Sequence, residues 1–274
     1  MFLSKVSGVF VRVALGALLY AMATLLHAAT LPAKSDLARL LGHPAVIVEV
    51  IEPHLSTRDS LVKVDYLGYP ADEVLDLLFG ARWKEERGEM EFHALDGYVS
   101  RIPVERFKKY RAYLVFERRG QKGFTVDNIT QNEKQVALGP YYLVWDNIAA
   151  PELIADGGSY WPYQVNTVML STLVTNALLP GDLAQSYGDH AALAKKYCLS
   201  CHQIRGYGGG KWPIDLASSV KSMTADSFKR WLLSPNEVKP GTTMPALPMA
   251  MPETEREAIA RKLYDYLRVV PVTQ

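Results

Sequence analysis

The stretch KYCLSCHQIRG, residues 196–206, contains both cysteines of this 274-residue chain and one of its six histidines. Two residues separate Cys198 from Cys201, and His202 follows directly. Thiols at this spacing lie about one helical turn apart, and the next residue can direct an imidazole at a metal beside them. The pattern C-x-x-C-H is the attachment signature of a c-type haem. The motif therefore predicts one covalently bound haem c, with thioethers at Cys198 and Cys201 and His202 as an axial iron ligand.

Two other kinds of site use cysteines at this spacing. A thioredoxin-like dithiol follows a strand and begins a helix in a βαβ unit. Here the motif follows a predicted short helix and precedes the glycine-rich run GYGGG (206–210). A structural zinc ion usually takes four nitrogen or sulfur ligands, and no second pair of Cys or His lies nearby in the sequence. The haem site is the leading prediction, and the dithiol and the zinc site are the alternatives.

A second axial ligand is predicted on the loop KPGTTMPALP (239–248), which contains Met244. A helix over 224–234, capped by Thr224 and ending before Pro235, fits between the motif and that loop. Met249 is the next candidate ligand. A histidine and a thioether fill both axial positions, favour Fe(II) and leave no open position on the iron. The sequence therefore predicts a carrier of single electrons, with no catalytic residue assigned.

Residues 182–272 as a whole resemble a class I cytochrome c domain. The resemblance depends on the helix before CLSCH, the segment KWPIDL after it, and further along on Trp231, Thr243-Met244-Pro245 and Tyr264. It implies an all-α domain whose first and last helices cross beside the haem. It also implies that the carbonyl of Pro213 orients the axial histidine.

Residues 30–178 have a different pattern, with many β-branched and aromatic residues. Strands are predicted at 44–52 and 60–68, and a short helix at 70–80, which Pro70 opens and Gly80 ends. The predicted fold class is therefore α+β. A mixed, β-rich N-terminal domain with short helices precedes an all-α cytochrome c domain over residues 179–274.

Segments within residues 60–172 resemble the molybdopterin-binding domain of the sulfite-oxidase family. The resemblance lies in the order of elements, in Asp96-Gly97-Tyr98 and in YWPY (160–163). That family binds molybdenum through a cysteine, whereas this chain has no cysteine outside CLSCH. We therefore expect no molybdenum, and a docking or scaffold role for this domain.

Two further hypotheses give the first domain another role. In one, the chain is the haem-bearing subunit of a periplasmic oxidoreductase, a dehydrogenase whose first domain binds substrate, pterin or a catalytic subunit. In the other, the chain is a sensor or assembly factor whose first domain binds a partner protein. The formal net charge of +1 gives no reason to expect nucleic acid as a partner. The predicted partners are redox proteins that donate and accept electrons.

Residues 1–29 have the pattern of a secretory signal peptide. Basic residues come first, an apolar run follows over 13–26, and Ala28 and Ala29 offer a cleavage site. The run is shorter than the about 20 residues that cross a bilayer. The protein is thus predicted to be periplasmic or otherwise exported, with a membrane tether through residues 13–26 as the alternative.

Overall fold

The computed structural model describes residues 27–171, which we call the N-terminal part, and residues 177–272, the C-terminal part. Residues 1–26, with the apolar run of the predicted signal or anchor, lie outside the described residues. In the two described ranges, no helix is both long enough and apolar enough to cross a membrane.

The N-terminal part contains most of the strands. In chain order, its strands are β1 (His27–Thr30), β2 (Val46–Ile51), β3 (Lys63–Pro70), β4 (Glu89–Ala94), β5 (Val99–Pro103), β6 (Ala112–Arg118), β7 (Thr125–Asn128), β8 (Glu133–Ala137), β9 (Tyr142–Trp145) and β10 (Val165–Ser171). Its α-helices are α1 (Lys34–Leu41), α2 (Ala71–Phe79) and α3 (Val104–Lys109). Three 3-10 helices lie at Ala81–Glu85, Ile129–Gln131 and Pro151–Asp156.

The C-terminal part contains most of the helices. They are α4 (Leu183–Tyr197), α5 (Leu216–Val220), α6 (Ala225–Leu233), α7 (Pro235–Val238) and α8 (Glu253–Val269). Two short strands, β11 (Gln203–Ile204) and β12 (Tyr207–Gly208), follow the cysteine motif.

Two antiparallel sheets build the N-terminal part, with strand orders β1-β10-β4-β5 and β2-β3-β6-β9. Strand β7 pairs with β8 in a separate two-stranded sheet. Buried and exposed side chains alternate over Ile47–Val50 of β2 and Lys63–Tyr66 of β3, as in a sheet with one solvated face. Both large sheets contribute to one hydrophobic cluster, in which Trp83, Phe92 and Trp145 are among the largest buried side chains.

A second hydrophobic cluster lies in the C-terminal part. Helix α8 packs against α4, α5 and α6. Its buried side chains Leu263, Tyr266 and Leu267 meet Phe228 of α6 in this cluster, which also includes Cys198 of the motif. The predicted domain boundary at 178/179 stays a prediction.

The predicted fold class is wrong, because the C-terminal part does not form a distinct all-α domain. The described chain has a mixed α/β fold with four sheets, and one of these is the antiparallel pair β11-β12 directly after the motif. Its two-residue turn consists of Arg205 (φ 52°) and Gly206 (φ 78°). Positive φ at both turn residues matches the twist of a tight hairpin. The pair Arg-Gly therefore turns the chain back where the resemblance implied no sheet.

Candidate haem site

The motif forms a tight turn at the end of α4. Cys198 is the C-cap residue of that helix, and its carbonyl oxygen accepts hydrogen bonds from the backbone N–H of Cys201 (3.2 Å) and of His202 (3.0 Å). The three predicted site residues are therefore on one turn of backbone. Cys198 is buried in the second hydrophobic cluster and Cys201 is half-buried, and neither forms a disulfide.

The imidazole of His202 is oriented by one backbone group. Its Nδ1 lies 3.0 Å from the carbonyl oxygen of Trp212. Because a carbonyl can only accept, Nδ1 carries the proton and Nε2 keeps its lone pair. Burial lowers the pKa of His202, and the bond to the Trp212 carbonyl opposes that shift in part. A neutral imidazole with a free Nε2 is the form that ligates a metal.

The accepting carbonyl differs from the one that the resemblance implied. That carbonyl was expected to belong to Pro213, but it belongs to Trp212, one residue earlier. Pro213 affects the direction of the Trp212 carbonyl indirectly, because a residue before proline is restricted to extended conformations. The Trp212 carbonyl also accepts from the Ile214 N–H at 2.7 Å, which closes a three-residue turn centred on Pro213.

Both thiols are shielded from the conditions that make cysteines reactive. Burial raises the pKa of Cys198 to about 12. Burial likewise raises the pKa of Cys201 to about 11, although the Lys211 ammonium opposes this shift. Catalytic dithiols instead have a thiol whose pKa is lowered, so that a thiolate forms near neutral pH. The surroundings of the motif therefore favour the haem interpretation over the dithiol alternative.

The zinc alternative finds no support among the described residues. Within 27–171 and 177–272, no group of three or more His, Cys, Asp or Glu side chains is arranged to hold a metal ion. A zinc ion would need such a group. A haem iron takes four ligands from its macrocycle and needs side chains only at the axial positions, so the haem prediction is untested by this result.

Met244 lies between α7 and α8, where its half-buried side chain packs against the second hydrophobic cluster. Met249, the alternative ligand, is 51% exposed, and its sulfur already accepts a hydrogen bond from Arg256 Nη1 at 3.0 Å. The partial burial of Met244, and the exposure and hydrogen bond of Met249, therefore favour Met244. Its pairing with His202 across a haem stays a prediction.

The glycines after the motif have a structural role that the sequence analysis missed. A Cβ on Gly208 would lie 2.0 Å from the His202 carbonyl oxygen, and a Cβ on Gly209 would lie 2.0 Å from the Ser200 carbonyl oxygen. The Gly209 N–H also donates to the Leu199 carbonyl at 2.8 Å. Only glycine allows this approach, which holds the CLSCH turn against the backbone of β12.

The N-terminal part also contacts the motif. The Val99 N–H donates to the Ser200 carbonyl at 2.9 Å, and the Gly210 N–H donates to the Gly97 carbonyl at 2.8 Å. Asp96 forms an ion pair with Lys211 at 2.9 Å. The segment Asp96-Gly97-Tyr98, noted above for the sulfite-oxidase resemblance, is therefore part of the wall around the motif. No sequence signal identified this contact, because the residues lie about a hundred positions apart.

These residues fit a covalently attached haem. Two free thiols and a neutral imidazole share one turn, and the large apolar side chains of Trp212 (52% exposed) and Ile214 (50% exposed) are open to cover an apolar ring beside it.

No protein-family model and no curated protein matches this chain.

Proposed function

We propose that the protein is an exported monohaem c-type cytochrome that carries single electrons between redox partner proteins. One observation carries this proposal above all. His202 holds its Nδ1 proton on the Trp212 carbonyl and keeps Nε2 free, on the same turn as two free thiols. A redox dithiol does not need an imidazole in this state, whereas an axial iron ligand does.

The mechanism follows from the roles of the chain's own residues. Cys198 and Cys201 would hold a haem through thioethers, and His202 and Met244 would occupy its axial positions. Such a group supplies reversible one-electron chemistry at iron. The Trp212 carbonyl strengthens Nε2 of His202 as a donor and prevents the ring from rotating. Buried Leu199 and Ala194 exclude water from the helical side of the motif. If His202 and Met244 both bound the haem iron, they would leave no place for a substrate at the metal.

The N-terminal part serves as a scaffold in this proposal. Its support is the set of contacts that this part makes with the motif, through Asp96, Gly97 and Val99. Arg101 adds a fourth contact, since its guanidinium lies 4.4 Å from the ring centroid of Tyr207 in β12. Because the N-terminal part contacts the motif at these four residues, we treat it as part of the site and not as an independent module.

The test is covalent haem attachment in cells that carry a c-type maturation system. The purified protein should keep its absorbance after acid-acetone extraction and should titrate as a single one-electron centre. Cys198→Ala and Cys201→Ala should each lose one thioether, which shifts the pyridine haemochrome band, and the double variant should release its haem. Ser200→Ala, inside the same motif, is the matched control and should retain both thioethers. Haem that extracts from the wild-type protein, or its complete absence, would disprove the proposal.

A further inference from the structure

The segment that carries Met244 has little regular structure to hold it. Residues 239–248, the Met244 segment, form neither helix nor strand. Local hydrogen bonds include one from the Thr242 N–H to the Lys239 carbonyl (3.1 Å) and one from the Met244 N–H to the Thr242 hydroxyl (3.2 Å). The carbonyl groups just before the methionine accept hydrogen bonds from elsewhere in the molecule.

Those donors come from the N-terminal part. Nε2 of Gln131 donates to the carbonyl oxygen of Thr243 at 2.9 Å, and Nδ2 of Asn132 donates to the carbonyl oxygen of Thr242 at 2.8 Å. Thr242 and Thr243 directly precede Met244. Two neighbouring side chains thus hold two neighbouring peptide groups of a segment that lies more than a hundred residues further along the chain.

The two donors are held in place by their own surroundings. Oε1 of Gln131 accepts from the Tyr163 hydroxyl at 3.3 Å and from the amide of Asn128, a residue that is 1% exposed. Asn132 is in the left-handed conformation (φ 55°) at the turn between β7 and β8. Asparagine is one of the few residues with a side chain that adopts this conformation readily. The amide of Gln131 is therefore fixed by its neighbours in the N-terminal part, and the backbone of Asn132 is suited to the turn that places it beside Gln131.

We propose that Gln131 and Asn132 are positioning residues that keep the sulfur of Met244 at the haem iron. The inference rests on the proposed function, and it makes the axial methionine dependent on the N-terminal part. The thioethers of Cys198 and Cys201 would hold the haem whether or not the methionine binds. Loss of the methionine can therefore be measured separately from loss of the haem.

The experiment uses the full-length holoprotein with Gln131→Ala, Asn132→Gly and the double variant. Glycine at 132 removes the amide and still tolerates a positive φ. Lys134→Ala, an exposed change on neighbouring β8, is the matched control, and Met244→Ala shows the signal for complete loss of the ligand. The readouts are haem content, the weak red charge-transfer band of methionine-ligated ferric haem, the reduction potential and imidazole binding to the ferric iron.

We expect every variant to retain covalent haem. Each removed hydrogen bond should raise the population of iron without its methionine by roughly tenfold at most. The double variant should therefore lose much of the red band, bind imidazole more tightly and have a lower potential, because a thioether ligand raises the potential. Lys134→Ala should match the wild type.

The outcomes separate this inference from the proposed function. If the double variant keeps the wild-type band, potential and imidazole affinity, the positioning role is wrong while the haem assignment stands. If the wild-type protein binds haem but lacks the methionine band, Met244 is not the ligand and the positioning role is also wrong. If the wild-type protein attaches no haem, both proposals are disproved. Asn132→Gly alone serves as the test if the double variant does not fold.

Discussion

The carboxylate of Glu52 is fully buried in the N-terminal part. It accepts hydrogen bonds from Nδ1 of His54 (2.7 Å), the hydroxyl of Tyr66 (2.7 Å) and the hydroxyl of Tyr142 (2.9 Å). Burial by itself raises the pKa of Glu52, but the hydrogen bonds and the charge from His54, together with the Tyr66 hydroxyl, outweigh it and lower the pKa. The folded state therefore favours the ionised carboxylate.

This shift predicts how stability depends on pH. Because the pKa of Glu52 is lower in the folded state, its contribution is complete above the unfolded pKa of about 4.3 and is lost as the pH falls through the folded pKa. Glu52→Gln should lower the free energy of unfolding by about 2–3 kcal/mol at neutral pH, since the charged acceptor of several bonds is removed. Urea denaturation at several pH values measures this difference, which should shrink in acid.

A matched control lies on β2, the strand that ends just before Glu52. Glu49 of β2 is exposed and pairs with Lys63 at 2.7 Å. Glu49→Gln should change stability by less than about 1 kcal/mol, as exposed ion pairs do. Equal effects of the two substitutions, or an effect of Glu52→Gln that does not change with pH, would contradict the assigned role of the buried carboxylate.

At the scale of elements, the hairpin β11-β12 determines the shape of the candidate site. Gly209→Ala would place a methyl group against the Ser200 backbone, which is not free to move because Val99 donates to the same carbonyl. We expect a loss of about 1–3 kcal/mol in the free energy of unfolding, the usual effect of overpacking. Haem incorporation should fall as well, because the turn that presents both thiols is displaced.

Gly206 provides the comparison for that prediction. It lies in the same hairpin with φ 78°, but a Cβ there would meet nothing within 4 Å. Gly206→Asn should therefore retain haem and most of the stability, since asparagine tolerates the left-handed conformation. Thermal unfolding and haem content per mole of protein check both variants. A Gly209→Ala protein with the thermal stability and haem content of the wild type would show that the close approach is not required.

The elements also show how far local patterns predict this fold. The strands expected at 44–52 and 60–68 are β2 and β3, and the helix expected at 70–80 is α2. Thr224 caps α6 as predicted, because its hydroxyl accepts from the Ser227 N–H at 3.2 Å. These features depend on side chains within a few positions of one another. A local sequence pattern is therefore enough to predict them.

Other boundaries differ from what the local pattern favours, for a physical reason. Asp189 is a good N-cap residue ahead of the motif, but α4 begins earlier, at Leu183. Leu183 and Tyr187 pack against the second hydrophobic cluster, and this packing favours a longer helix. Thr254 and Glu257 have the spacing of a capping box, but they do not form one. Helix α8 begins at Glu253 after Pro252, and no side chain caps it.

At the scale of the whole molecule, one arginine of a buried ion pair in the N-terminal part reaches the motif in the C-terminal part. Arg101 and Glu91 are 8% and 4% exposed, with Nε of the arginine 3.3 Å from the carboxylate. Nη1 of Arg101 also lies 3.4 Å from the Leu199 carbonyl of the motif. Burial raises the pKa of Glu91, but the nearby His93 and Arg101 outweigh it and lower the pKa. The lowered pKa favours the ionised carboxylate, which His93 and Arg101 stabilise against the effect of burial.

Removing only the arginine of this ion pair should strongly lower the stability of the protein. Arg101→Leu should cost about 3–5 kcal/mol in the free energy of unfolding, because it leaves the Glu91 charge buried without its guanidinium. The double variant Glu91→Leu/Arg101→Leu should recover a large share of that loss, since no charge is then left unpaired. A double-mutant cycle from urea denaturation measures the coupling. Additive effects of the two substitutions would mean that Glu91 and Arg101 are not energetically coupled.

The sequence by itself determined the local chemistry of this protein. Cys198, Cys201 and His202 are on one turn because they are neighbours in the chain. Tertiary structure alone decided that Trp212 holds the imidazole and that Gln131 reaches the Thr243 carbonyl. The physical reason is distance along the chain: a hydrogen bond between residues ten or a hundred positions apart depends on how two hydrophobic clusters pack, which no local pattern encodes.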